Sequence, residues 1–397
     1  MRKLAIVILN WNGRDMLRKY LPSVIRNSVG DVVVADNSST DDSVGMLMKY
    51  FPATRVILLE RNYGFAGGYN LALEQLPGYE YYLLLNSDVE IRQPGWDKVL
   101  TDYMDAHPEC AACQPKLLDL RRLELEEKTP GLEQLDAGKR QNAAAGDNLP
   151  VAGDDLPAAG DDLPAGIDRG NGSSNRHRPV YFEYAGCAGG FIDKYGYPFC
   201  RGRIFDTVEE DRGQYDEPCT VMWATGAALL CRATDWRASG GLDTRFFAHM
   251  EEIDLCWRLR TMGRDIACVP QSTAYHLGGA TLSQGNPRKT YLNFRNNLLM
   301  LYKNLPEAEL SRTLRTRLVL DFVAALQFLL RGDLPNMKAV MRARSDFRRL
   351  KPAYAPTREA IQTMRTTGRT PEHTAFSILW EYYIRGRHTF DALPWNK

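Results

Sequence analysis

The sequence predicts an α/β fold: a mostly parallel, Rossmann-like sheet flanked by helices, extended by a C-terminal helical region and interrupted by a low-complexity insertion. Three observations predict it. Residues 4–9, 32–35, 56–59 and 81–85 are short continuous apolar runs, the pattern of strands covered on both faces. Helical patterns lie between the runs. Polar strings follow two of them, at Asp36-Asn37-Ser38-Ser39 and at Asn86-Ser87-Asp88. Strand, helix, strand, helix implies right-handed crossovers, and ligands of such sheets bind beyond the carboxyl ends of the strands.

Taken in order, the run at 4–9 is a buried first strand. It is too short for a secretory signal and ends in Asn10-Trp11-Asn12-Gly13 with no small-residue cleavage site. Ser39-Thr40-Asp41-Asp42 offers caps to a helix ending near Tyr50. After Pro94, Trp96, Val99, Leu100, Tyr103 and Met104 follow at i, i+3, i+4, i+7 and i+8, an amphipathic helix with proline at its start. From 119 to 178 the character changes. Residues 145–151 recur, barely altered, at 152–158 and 159–165, and each unit carries Gly and Pro, which exclude a continuous helix. Without aromatic residues, and with paired aspartates, this segment is expected to be disordered. Its spacing lacks the glycine-aspartate pattern of calcium-binding repeats. Order resumes at Val180, with strands expected at 221–230 and 266–269 and a helix at 254–262. Beyond Pro287 the chain reads as helical. Leu314, Leu318, Phe322, Leu326 and Leu329 recur there among Arg312, Arg315, Arg317 and Arg331, and a basic stretch follows at 338–351. The expected organisation is a nucleotide-binding half at 1–118, the insertion at 119–178, an acceptor half at 179–285 and a helical region at 286–397.

Composition narrows the function. A net charge of +1 over 397 residues excludes nucleic-acid binding by bulk charge. No uncharged apolar stretch of bilayer-spanning length occurs. The eight cysteines form no dense framework, so reduced thiols and a cytoplasmic setting are expected. Cys110 and Cys113 have half of a zinc spacing and no second half, and read as core thiols.

The chemistry resides in acids and amides. Asp88, placed where a buried strand ends, can hold a hard divalent cation such as Mg²⁺ or Mn²⁺, with Asn86 as its neutral neighbour. His276 follows another strand and could complete the metal shell. Asp36 could accept from a pyrimidine or ribose group, or cap the next helix. Asn62 supplies donors, and Gly64, Gly67 and Gly68 let the backbone pass close to a nucleotide, in a string ending at Asn70. Glu251, Glu252 and Asp254 crowd three carboxylates at a helix start. Like charges raise at least one pKa there, which suits a general base; acids also favour helix starts for their own sake. Arg288 and Lys289 lie where a mobile loop could clamp phosphates.

These strings together resemble the family 2 inverting glycosyltransferases of GT-A fold, especially their bacterial rhamnosyltransferase-like and galactofuranosyltransferase-like branch. The resemblance spans 3–297 apart from the insertion, and rests on Ile8-Leu9-Asn10-Trp11-Asn12, Val34-Ala35-Asp36-Asn37-Ser38-Ser39, residues 62–70, Leu84-Leu85-Asn86-Ser87-Asp88, Trp223-Ala224-Thr225-Gly226-Ala227 and residues 246–258. It implies that Asp36 binds the nucleotide base, Asp88 and His276 the metal, and that Glu252 is the catalytic base. Two departures stand out. Asn86-Ser87-Asp88 replaces Asp-x-Asp, and Glu251-Glu252 replaces Glu-Asp, which leaves the base open between neighbours. No Gln-x-x-Arg-Trp follows, which favours transfer of one or a few residues over processive synthesis.

The expected function is metal-dependent, inverting transfer from a UDP- or dTDP-linked sugar to a hydroxyl of a cell-surface glycan or lipid-linked acceptor. A weak pseudo-glycosyltransferase serving as a glycan-binding scaffold is the alternative. The arginine-flanked helix near Leu318 could lie on an anionic membrane at its inner face, or form a contact between copies of the chain.

Overall fold

The structure, a computed structural model, describes residues 2–128, 179–278, 285–366 and 374–395. By internal contact the chain divides into one unit of Met1–Arg121 with Val180–Lys397, and a second of Arg122–Pro179. The repeat at 145–165, and the disorder expected of it, lie outside the described residues.

The first unit begins β1 (Arg2–Asn10), α1 (Arg14–Asn27), β2 (Asp31–Asp36), α2 (Ser43–Tyr50), β3 (Arg55–Leu58), α3 (Gly64–Glu74), β4 (Tyr79–Asn86), β5 (Val89–Glu90), α4 (Trp96–Ala106) and β6 (Cys110–Asp119), from which α5 (Leu120–Lys128) leads away. Four short strands follow: β7 (Gly190–Ile192), β8 (Pro198–Cys200), β9 (Arg203–Ile204) and β10 (Thr207–Val208). Then come β11 (Cys219–Thr220), β12 (Ala228–Arg232), α6 (Ala233–Ser239), α7 (Glu251–Thr261) and β13 (Asp265–His276). The chain closes with α8 (Pro287–Asn304), α9 (Glu307–Leu330), α10 (Leu334–Leu350), α11 (Ala355–Thr363) and α12 (Ile378–Tyr383).

The large sheet runs β11-β13-β6-β12-β4-β1-β2-β3, with β5 paired to β13. Strands β3, β2, β1 and β4 are parallel, β12 runs antiparallel between β4 and β6, and β6 is parallel to β13. The expected mostly parallel α/β sheet is therefore present, and segments from both sides of the insertion share it. Alternation within β1 explains its double burial. Leu4, Ile6 and Ile8 enter a core with α1, α2 and α4, whereas Ala5 and Val7 face a second core with α3, α7 and α8. Cys110 and Cys113 are buried thiols, and burial pushes Cys110 up to about 12.

Three expectations are corrected. The strand expected at 221–230 is only Ala228–Arg232. The preceding stretch is apolar because it crosses beneath β7, where Trp223 stacks on a Gly190 that has no room for a Cβ. The strand expected at 266–269 continues to His276, past an irregularity between Val269 and Thr273 that accommodates Pro270. The glycine-rich string, expected to bring backbone close to a nucleotide, is helical from Gly64. A Cβ on Gly67 would lie 2.9 Å from Tyr63 Cβ, and one on Gly68 would lie 2.7 Å from Leu9. Those glycines serve close packing of α3 within its turn and against β1.

Candidate active site

Parallel β1, β2 and β4 bring Asn10, Asp36 and Asn86 to one edge of the sheet, with Asn10 opposite Asp36 and Leu9 opposite Asn86. Asp36 is buried there. Its Oδ1 accepts from Asn10 Nδ2 at 2.9 Å and Ser39 Oγ at 2.6 Å, and its Oδ2 from the Ser39 amide at 2.9 Å. Asn10 Oδ1 is buried with no partner among the described residues. Ser38, between them, holds a φ of 61°, a region costly for a non-glycine residue. Asn62 Oδ1 accepts from Asn37 Nδ2 and the Gly64 amide, so it positions the start of α3. Asn70 is spent on the fold: its amide both donates to and accepts from the Leu242 backbone, at 2.8 and 3.0 Å. That saturation takes Asn70 out of the nucleotide site expected for it, as packing does for Gly67.

The turn after β4 leads into β5, which pairs with the end of β13, so that Val89 lies opposite His276. This pairing sets Asp88 Oδ1 3.1 Å from His276 Nε2, with Asn86 Nδ2 3.3 Å from the same nitrogen. The other imidazole nitrogen lies 3.2 Å from Glu183 Oε1, an ion-pair distance without hydrogen-bond alignment. Burial opposes charge on His276, but Asp88 and Glu183 outweigh it and hold the imidazole well above its ordinary value. Burial likewise works against the Asp88 carboxylate, and His276 more than restores it, leaving the group below the usual range. Glu183 escapes the sequence reading. Its one signal is a lone acid in the aromatic run Val180-Tyr181-Phe182-Glu183-Tyr184.

Glu251 and Glu252 open α7, and three non-glycine residues just before them, Phe247, His249 and Met250, have φ of 66°, 69° and 73°. That strain is held from outside. Asn296 Nδ2 on α8 shares its protons among the carbonyls of Phe246, Ala248 and His249, at 3.1, 2.9 and 2.8 Å, while Phe247 O accepts from the Phe65 amide. Glu251 and Glu252 each keep a buried Oε2 without a partner. Burial and the neighbouring Glu252 push Glu251 well above the carboxylate range, and burial pushes Glu252 up to about 6. As whole residues Glu252 is partly exposed and Glu251 is buried. A Cβ on Gly226 would lie 3.6 Å from Glu252 Cβ, and the adjoining Ala227 O accepts the Asn86 amide at 3.0 Å. This chain of contacts joins the acid pair to the Asp88–His276 edge.

Asp254 belongs elsewhere. It is fully buried, accepting from Arg258 Nε at 3.0 Å and from Lys303 Nζ and Asn304 Nδ2 at 2.8 Å each. Burial disfavours its charge, yet Lys303 and Arg258 hold it below the usual range. Two residues along the helix turn it about 200° away from Glu252, so the expected three-carboxylate cluster is a pair and an ion-bound structural acid. Arg288 and Lys289 also differ from expectation. They occupy the first turn of α8 behind the Asn286 cap, not a loop. The Arg288 guanidinium lies 5.3 Å from the Phe247 ring centroid. Burial and the Arg203 charge lower Lys289, while Glu183 acts on it in the opposite sense. His249, with a buried unpartnered Nε2, is pushed down to about 4 by burial and by Lys289.

Among the described residues no three His, Cys, Asp or Glu side chains are grouped to hold a metal by themselves. Asp88 and His276 offer two donors, one hard oxygen and one imidazole nitrogen steadied by Glu183. That set fits Mg²⁺ or Mn²⁺ completed by ligand oxygens.

Residues 5–151 match the family described as Glycosyl transferase family 2. This match covers little more than a third of the chain, and the likeness to the solved structures below is one of fold alone. No curated protein matches the chain. Among solved structures, it is similar to GalNAc-T7 with UDP, GalNAc and Mn²⁺, at 13% identity and a TM-score of 0.50, over 76% of this chain and 48% of that one. The chain thus spans about half the length of that relative. The mannosyltransferase PcManGT of Pyrobaculum calidifontis, with GDP-Man and Mn²⁺, aligns at 11% identity and a TM-score of 0.44, over 91% of this chain and 84% of that one. TarS of S. aureus with UDP-GlcNAc aligns at 16% and 0.47, over 92% and 90%.

Proposed function

We propose that this protein transfers one sugar, with inversion, from a nucleotide-diphosphate sugar to an acceptor hydroxyl. The observation that carries the reading is Glu252. It is a carboxylate with a buried, unpartnered oxygen, raised toward neutrality, next to Gly226, whose neighbour Ala227 bonds the end of β4 beside the Asp88–His276 edge. Glu252 takes the proton of the acceptor hydroxyl while that oxygen bonds to the anomeric carbon. The bond from that carbon to the diphosphate oxygen breaks on the opposite face, and its electron pair leaves with the diphosphate. Asp36 and Asn10 orient the nucleotide. Arg288 and Lys289, at the positive end of α8, face the diphosphate charge. Asp88 and His276 hold Mn²⁺ or Mg²⁺, which when bound neutralises charge on the departing group.

Donors named for structures of similar fold make UDP-sugars with Mn²⁺ the first to test. The family resemblance extends the reading to dTDP-rhamnose and UDP-galactofuranose, with a glycan or lipid-linked oligosaccharide as acceptor. A panel of nucleotide sugars, scored for hydrolysis and transfer with and without Mn²⁺, tests this. The expected result is metal-dependent turnover of one donor class that Asp88→Ala abolishes. Turnover unchanged by Asp88→Ala overturns the assignment.

A further inference from the structure

The C-terminal helices present a surface that the transfer reaction does not require. On α9, Val319, Phe322, Val323, Leu326 and Leu330 fall at i, i+3, i+4, i+7 and i+11, and every one is exposed, Leu330 to 79%. The opposite face of the same helix buries Leu310, Thr313, Arg317, Asp321 and Ala325, so that an arginine and an aspartate in mid-helix turn inward. Arg317 contacts Asn297 and Asp321, and Asp321 also accepts from Arg344. A water-facing helix ordinarily turns its charges outward and its apolar stripe inward. Here the polarity is inverted, and a contiguous apolar stripe that faces solvent marks a binding surface.

Charge selects the occupant. Residues 311–351 contain ten Lys or Arg against three Asp or Glu, in a chain whose net charge is +1. Arg312 and Arg315 continue the apolar stripe at one end of α9, and Arg331 and Lys338 stand beyond the other. None of these four makes an ion pair among the described residues, and the three acids of the segment are already engaged. Two copies of this face would bring unpaired like charges together, whereas an anionic surface would satisfy them. Beside it, α12 exposes Trp380, Tyr383 and Ile384 at i, i+3 and i+4. Aromatic rings of this kind favour the headgroup layer. Tyr383 lies within electrostatic reach of both Arg331 and Tyr184, the residue next to Glu183. No helix among the described residues is long and apolar enough to cross a membrane.

We infer that the outer faces of α9 and α12 dock the protein in the plane of an anionic lipid bilayer, apolar stripe in the acyl boundary and arginines at the headgroups. This inference stands apart from the transfer reading, because its readout is lipid binding. The full-length protein is sedimented with vesicles of phosphatidylcholine, with or without phosphatidylglycerol, and its mass is followed by light scattering. The expected result is binding to the anionic vesicles that raised salt weakens. Leu326→Asp and, separately, paired Arg312→Glu and Arg315→Glu each reduce it by about tenfold or more. These positions are exposed, and an unchanged circular dichroism melt verifies that the variants fold. Equal binding to both vesicle types, binding untouched by the substitutions, or no binding at all overturns the proposal. So does a dimer that Leu326→Asp dissociates, which would make the face a contact between copies.

Discussion

Glu252 and Asp254 stand two residues apart on the first turn of one helix, both carboxylates, both removed from bulk water, and their chemistry is opposite. Asp254 receives Lys303, Arg258 and Asn304 and is driven toward permanent charge. Glu252 keeps an oxygen with no partner and is pushed up to about 6. Burial acts on both in the same sense, so the partners decide the outcome. A carboxylate given cations becomes part of the scaffold; one left without them can exchange a proton. Glu251 carries the second case further. Fully buried beside Glu252, it is pushed well above the carboxylate range by burial and by that neighbour.

The comparison breaks most visibly at Asp254. Replacing it with alanine leaves Arg258 without its carboxylate and Lys303 with Asp243 alone, and unfolding experiments should show a loss of about 3–5 kcal/mol. A soluble, stable variant with lost turnover would instead make Asp254 catalytic. The sign with pH follows from its lowered carboxyl. The Asp254 contribution is complete above the ordinary aspartate value near about 4 and fades as pH falls through the lower folded value.

Glu183 sharpens the comparison, because its partner is itself a ligand candidate. Glu183→Gln should weaken Mn²⁺ binding by roughly 10–100-fold, measured by calorimetry in the presence of UDP, with little change in stability. An unaltered metal affinity would reduce Glu183 to a packing residue. In the pH profile of kcat, activity should fall about tenfold per unit below the Glu252 value of about 6, and Glu252→Asp should displace that limb. A flat profile from 5 to 7 would remove the base from Glu252. Smallest of all, Glu251→Gln should leave turnover within about threefold, since the amide keeps the shape of a buried side chain that is not the proposed base. A loss as large as that of Glu252→Gln would exchange their roles.

Much of this was legible before any coordinates. The runs at 4–9, 32–35 and 81–85 are strands because both faces are covered, and continuous apolar sequence has no other compact use at that length. The edge carrying Asp36, Asp88 and His276 was legible too, since parallel strands deliver their carboxyl ends to one side. Other features were not, for physical reasons. Gly67 and Gly68 read as a close approach of backbone to a nucleotide, whereas their near neighbours are Tyr63 and Leu9, contacts that local sequence does not announce. Glu183 and Asn296 act through partners 93 and 47 or more residues distant in the chain, at His276 and at the strained carbonyls before α7, and nothing local announces such contacts. Of the period read on α9, Phe322, Leu326 and Leu329 are exposed but Leu314 and Leu318 are half-buried, and the exposed stripe runs also through Val319, Val323 and Leu330.

The central claim is that Glu252 is the base of a transfer reaction at the Asp88–His276 edge. Its most direct test is Glu252→Gln, assayed in parallel for UDP binding with Mn²⁺ by calorimetry and for sugar transfer by single-turnover kinetics. Binding within about twofold of the unaltered protein, with transfer slowed by about 10²–10⁴-fold, is the predicted result. Transfer at the original rate, with the carboxylate gone, would contradict it.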